Sequence, residues 1–377
     1  MPVEVPCRHS NPWDFGGFAA EGVGYPFRPT PAPTLDGGDD RDRSEDAMPR
    51  PPFHHRPVRH GGRSYPVIGE ERVHGRTFLL LESLGAADRP RYRAFDPRAG
   101  RGGELRRLTI LPKSADSEQH LRTLFRARRT NDAFSVVLAW EERRDSFAVV
   151  SEWVEGIDVK RYLDRVRSGG LPPIGPREAI RLVKGLAHGL DWLHSRARVI
   201  HADLKPANLI LNRNARRMVL VDFGSAWPME RTTRRVSGDG TTAGYASPEQ
   251  QGATGVIDGR ADQFAASVIL YEMLTGKLPY RWGGKAGRPT FAAEMQSSYE
   301  PPSALAPNSE RIPSRVWQAV DRVVTTGVAF DPDRRFRTDR EWLSALEVAW
   351  RELDPLPTSS PPPTGVIGRL AAFFRGR

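Results

Sequence analysis

The chain has 377 residues, a formal net charge of +10, 33 prolines, 35 glycines and an apolar share of only 38%. That length allows one large two-lobed domain or two ordinary ones, and the proline, glycine and polar content assigns part of it to segments that do not fold. One cysteine, Cys7, excludes an intrachain disulfide, and no apolar run approaches the ~18 residues of a membrane span. The first residues lack the basic and apolar regions of a secretion signal, so a cytoplasmic chain is expected. The basic balance suits nucleic acid, an anionic membrane surface, acidic proteins or simply a solvated surface. With no Cys/His finger and no aromatic RNA-binding pattern, no nucleic-acid partner is expected.

Residues 1–75 read as a disordered tail. Proline and glycine recur there, and Asp36 to Asp46 is charged with almost no apolar content, too little to offset its ordering entropy. Folded pattern begins near Phe78–Leu81. Short apolar runs then alternate with turns at Arg91–Phe95, Leu108–Leu111, Val136–Trp140 and Phe147–Val150, which predicts five strands. Among them Ser117 to Arg129 carries Leu121, Leu124 and Phe125 at helical spacing. From about Gly156 the pattern turns helical. Ile180, Val183, Leu186, Ala187, Leu190 and Leu193 predict an amphipathic helix over 177–196, and further helices are expected over 261–274, 316–324 and 340–353. Beyond Asp354 a proline-rich linker leads to residues 364–377. There Val366, Ile367, Leu370, Phe373 and Phe374 can share a helical face beside Arg369, Arg375 and Arg377. That segment suits weak contact with an anionic membrane, packing back on the domain, or a partner.

Chemistry concentrates in His201-Ala202-Asp203-Leu204-Lys205-Pro206-Ala207-Asn208, followed by Val221-Asp222-Phe223-Gly224. Asp203 can accept the proton of an attacking hydroxyl, and Lys205 can neutralise a phosphoryl group in transit. Asn208 and Asp222 are oxygen donors suited to Mg²⁺. With Asp222 placed 19 residues after Asp203, the stretch resembles the catalytic loop and metal-binding turn of the eukaryotic-type protein kinases. Thr242-Ala-Gly-Tyr-Ala-Ser-Pro-Glu249 is similar to the end of their activation segment, bacterial members especially.

The resemblance covers roughly Phe78 to Trp350. It implies an α+β, two-lobed kinase fold with a small five-stranded lobe and one helix (76–150), a hinge (151–156) and a mainly helical lobe (157–353). It implies ATP and Mg²⁺ as cofactors and protein substrates as partners. Asp203 and Lys205 would be catalytic, Asn208 and Asp222 would hold the metal, and Gly85, Glu152 and Trp153 would contact the nucleotide. His201 would have a packing role. Glu249 would pair with Arg335, and Asp262 would cap the catalytic-loop backbone. Ala202 stands where the family has an arginine that reads a phosphate on the activation segment. Without it, phosphorylation among Thr232, Thr233, Ser237, Thr241 and Thr242 is a weaker candidate for the on-switch.

In the small lobe the resemblance frays. Leu84-Gly85-Ala86-Ala87-Asp88-Arg89-Pro90 keeps one glycine of the phosphate-covering loop. Thr109 falls at the position of the family's strand lysine, and Arg122 near that of its partner glutamate, with Glu118 a poor alternative. Arg91, Arg93 or Lys113 can supply a replacement cation. Two readings stay open: a serine/threonine kinase with atypical ATP positioning, and a pseudokinase-type scaffold with weak or no phosphotransfer. An adaptor held at a membrane by its basic tail is a third.

Overall fold

The computed structural model describes residues 56–353, apart from 86–89, 114–116, 119–120, 123, 126–132, 213–216, 230–243, 252–256, 281–298 and 308. The expectations for the two tails, for the activation-segment threonines and serine, and for most of the loop after Gly85 therefore lie outside the described residues, save at 56–75.

The small lobe starts with a hairpin of β1 (Val58–His60) and β2 (Arg63–Tyr65). A six-stranded antiparallel sheet follows: β3 (Gly69–Val73), β4 (Arg76–Ser83), β5 (Arg91–Asp96), β6 (Glu104–Pro112), β7 (Val137–Glu142) and β8 (Ser146–Glu152). Their spatial order is β3-β4-β5-β6-β8-β7. The five predicted strands are β4 to β8. The sixth, β3, and the hairpin fall within the stretch read as tail. β3 is Gly-Glu-Glu-Arg-Val, an edge strand whose pattern is too polar to show as an apolar run. Val58 stands alone in sequence and Val67 has only Ile68 beside it, yet both valines are buried with Leu81, Phe95 and Leu105 in a small cluster.

β8 explains why the sheet has a core on both sides. Phe147 and Val149 face the main core with Leu111, while Ala148 and Val150 face a second cluster with Val73, Phe78, Leu80, Ala94 and Leu108. Residues 117–118, 121–122 and 124–125 are helical. Leu121 and Leu124 bury in the main core, so this helical segment covers the inner face of the sheet.

The large lobe follows β9 (Gly156–Asp158) with α1 (Val159–Arg167), whose N-cap Asp158 accepts from the Arg161 N–H at 2.7 Å. α2 (Pro176–Trp192) buries the predicted apolar stripe and runs into a π turn over Leu193–Ala197. Then come β10 (Val199–Ile200), β11 (Leu209–Asn212), β12 (Met218–Leu220) and β13 (Trp227–Pro228). β11 pairs with β9 and β12, and β10 with β13, so short strands frame the loop over 201–208. α3 (Gly259–Thr275) is buried along nearly its whole length and stops at Gly276 in the left-handed region. α4 (Ser314–Gly327) and α5 (Asp339–Leu353) pack around it and α2. Among the described residues no helix is long and apolar enough to cross a membrane.

One buried ion pair locks this lobe. Arg335 meets Glu249 in a bidentate fork, Nη1 to Oε1 at 2.7 Å and Nη2 to Oε2 at 2.8 Å. Its remaining donors reach the carbonyls of Ala329, Arg260 and Phe330 at 2.8, 3.0 and 3.2 Å, so every guanidinium hydrogen has an acceptor. Arg335→Ala would strand a buried carboxylate. It should lower unfolding free energy by about 3–5 kcal/mol, read by urea denaturation. A loss under about 1 kcal/mol would place the pair among surface-like bridges.

Candidate active site

The loop between β10 and β11 is held from below by α3. Asp262 Oδ2 accepts from the His201 N–H at 2.7 Å, and Oδ1 from the Ala202 N–H at 2.9 Å. Asp262 itself is fixed by His194 Nε2 at 2.9 Å, and His194 Nδ1 reaches Asp339 Oδ2 at 2.7 Å. A buried imidazole thus ties α3 to α5 beneath the loop. Ala202 sits at φ 62°, a strained value for a residue with a Cβ. Its N–H is held by Asp262, and its carbonyl accepts from Gln250 Nε2 at 2.7 Å. Gln250 also receives Ser247 at its amide oxygen. A side-chain amide thereby links the Ser-Pro-Glu-Gln turn to the loop at Ala202.

Held in this way, the loop brings three of the predicted residues together, and the segment after β12 adds a fourth. Lys205 Nζ lies 2.8 and 3.0 Å from the Asp203 carboxylate oxygens. Asn208 Nδ2 donates to the Asp203 carbonyl at 2.9 Å, which leaves its amide oxygen without a protein donor among the described residues. Asp222 follows β12. Its carbonyl accepts from His201 Nε2, and its Oδ1 from the Gly224 N–H at 3.1 Å. Asn208 and Asp222 present the hard oxygen donors that suit Mg²⁺, although Asp222 Oδ2 is engaged by an arginine.

The other face is the sheet, and the ladder dictates what it presents. Arg91 of β5 stands opposite Thr109 of β6, and Arg93 opposite Arg107. Paired residues two apart share a face, so three arginines and Thr109 line one side. Arg91 Nη1 pairs with Asp222 Oδ2, and Arg107 Nη2 lies 4.0 Å from the same oxygen. Burial opposes ionisation of Asp222, but Arg107 and then Arg91 outweigh it and hold the carboxyl below its usual range. Arg93 bridges to Glu82 at 2.6 Å and lies 4.4 Å over the Trp153 ring. Lys113 turns away to Glu142. Glu118 is taken by Arg122 at 2.7 Å, so it supplies no partner to a cleft cation. Of the three candidate replacements, Arg91 is the one that reaches Asp222.

Arg107 escaped the sequence reading. Its signal was present: it lies two residues before Thr109 and so on the same face of the strand. Between sheet and loop lies a cleft of about 400 Å³. Arg91, Arg93, Arg107, Glu152, Trp153 and Asn208 line it, with Lys205, Ala207, Ile210 and Val221 below. Gly85 is absent from that lining; Leu84 stands there instead. Ser151, opposite Arg107 in the ladder, is buried.

Residues 126–341 match the protein kinase domain model. The chain belongs to the protein kinase family. It is a bacterial-like member of the eukaryotic-type serine/threonine kinases. Among curated proteins, PknJ of Mycobacterium tuberculosis is 35% identical over 175 residues, 45% of this chain and 28% of that protein. PknF of the same organism is 29% identical over 285 residues, 71% of this chain and 55% of that protein. PrkC of Bacillus subtilis is 26% identical over 212 residues, 55% of this chain and 30% of that protein. The kinase therefore spans about half or less of the length of these relatives. The PknI kinase domain of Mycobacterium tuberculosis aligns at 22% identity and a TM-score of 0.48, covering 72% of this chain and 95% of that one.

The support beneath the loop is testable through pH. Burial alone would lower the His194 pKa, but hydrogen bonds to Asp262 and Asp339 outweigh it and raise it to about 10 from 6.5. A raised value means the stabilisation is complete below 6.5 and is lost as pH climbs through about 10. Denaturation at stepped pH should show stability falling across that window, and His194→Gln should flatten the fall. An equally steep fall in the variant would place the titration elsewhere.

Proposed function

We propose that this kinase transfers the γ-phosphoryl group of ATP to serine or threonine hydroxyls of proteins, with Arg91 in place of the usual strand lysine. The observation that carries the reading is the Arg91–Asp222 ion pair next to an uncharged Thr109, with Asp203, Lys205 and Asn208 assembled opposite. A cation at that place can hold the phosphates, since a guanidinium fork matches phosphate oxygens. The substrate hydroxyl oxygen would attack the γ-phosphorus as its proton passes to the Asp203 carboxylate. The bond to the β,γ-bridging oxygen would break, and ADP would leave. Lys205, already against Asp203, would offset charge on the transferring group. Asn208 and Asp222 would hold Mg²⁺, which neutralises phosphate charge when bound. Glu152 and Trp153 at the hinge would meet the base.

A second reading, a pseudokinase-type scaffold, is favoured by one observation. The Arg93 guanidinium lies over the Trp153 ring by the hinge, where an adenine ring wants apolar faces. Radiolabel transfer from ATP to the protein itself and to a generic basic substrate separates the two. The first reading expects transfer that vanishes in Asp203→Ala and in Asp222→Ala. Arg91→Ala should slow it by about 10²–10³-fold, the usual cost of one preorganised charge contact. No transfer by the wild type would leave the scaffold, and an undiminished Arg91→Ala rate would remove Arg91 from the mechanism.

A further inference from the structure

Of the three arginines that the sheet turns to the cleft, Arg107 is the one without a close carboxylate partner. Arg91 is matched by Asp222 and Arg93 by Glu82. Arg107 has only Asp222, at 4.0 Å and already engaged, and its side chain makes no hydrogen bond among the described residues. Its side chain is 14% exposed. Burial is the largest influence on Arg107 and lowers its pKa, with Asp222 opposing and Arg91 adding to the fall. A half-buried guanidinium with five donors and no acceptor within hydrogen-bond distance among the described residues is open to an arriving anion. The cleft onto which it opens is of small-ligand size.

Resting on the nucleotide reading of this site, we infer that Arg91 and Arg107 grip the nucleotide phosphates directly, so that the cleft binds ATP without a divalent cation. Two fixed guanidiniums offer two positive charges and ten donors, enough to replace the neutralising role of one divalent ion at the binding step. A cation approaching Asp222 would face repulsion from both arginines and would have to displace Arg91 from Oδ2. Phosphate oxygens meet the opposite field. They would draw both arginines from a shared carboxylate and satisfy the donors Arg107 leaves open.

The test is calorimetric titration of the full chain with ATP, once in EDTA and once in excess Mg²⁺. The dissociation constant in EDTA should lie within about tenfold of that in Mg²⁺. Arg107→Met keeps the stem and removes the charge. It should weaken binding in EDTA by about 10–100-fold, the worth of hydrogen bonds to a charged group, while Mg²⁺ restores most of the loss. Arg91→Met should behave alike, and it keeps the test open if the first variant fails to fold. Wild-type binding that appears only with Mg²⁺ would overturn this inference and leave the nucleotide site standing. No binding under either condition would overturn both. Unchanged EDTA binding in a folded Arg107→Met protein would also overturn it.

Discussion

The site depends on a single carboxylate, Asp222, shared between two arginines from the opposite lobe. It belongs to the helical lobe, its carbonyl held by His201 and its carboxylate by the Gly224 N–H, while Arg91 and Arg107 descend from neighbouring strands of the sheet. The contact joins the lobes across the cleft, between the segment after β12 and the sheet. On the proposed reading, with Thr109 at the lysine position, it also supplies the positive charge that the phosphates would meet. The cation comes from the adjacent strand, one ladder position across.

Everything below the cleft is built to keep the loop still. Asp262 caps two consecutive amides, His194 fixes Asp262, and Asp339 fixes His194. The strained Ala202 persists because both its amide and its carbonyl are held, the latter by Gln250. Glu249, the neighbour of Gln250, is tied to Arg335. The Ser-Pro-Glu-Gln turn is thus braced on one side by a buried ion pair, and on the other it braces the catalytic loop. The link is by hydrogen bonds through an amide, where the family pattern uses an arginine and a phosphate.

Much of this was legible in the chain. Short stretches rich in apolar residues announced β4 to β8, and the 3.6-residue stripe on α2 was unmistakable. Asp203, Lys205 and Asn208 on one loop, with Asp222 19 residues after Asp203, were recognised through the resemblance to the family motif. Asp262 with the loop amides, and Glu249 with Arg335, followed from the family pattern. What stayed hidden depends on register. β3 and the hairpin before it bury lone valines rather than runs. Arg107 looks like one more basic residue until the ladder sets it opposite Arg93 and Ser151. Choosing Arg91 over Arg93 and Lys113 likewise needs the tertiary partner of each: Asp222, Glu82 with Trp153, and Glu142.

The central claim is that strand arginines do the work of the missing lysine, and a crystal structure with a non-hydrolysable ATP analogue tests it most directly. The account predicts phosphate oxygens within hydrogen-bond distance of both Arg91 and Arg107, with Asp203 facing the γ-phosphate. Phosphates seated elsewhere, with Arg91 still on Asp222 and Arg107 still without an anion, would contradict it.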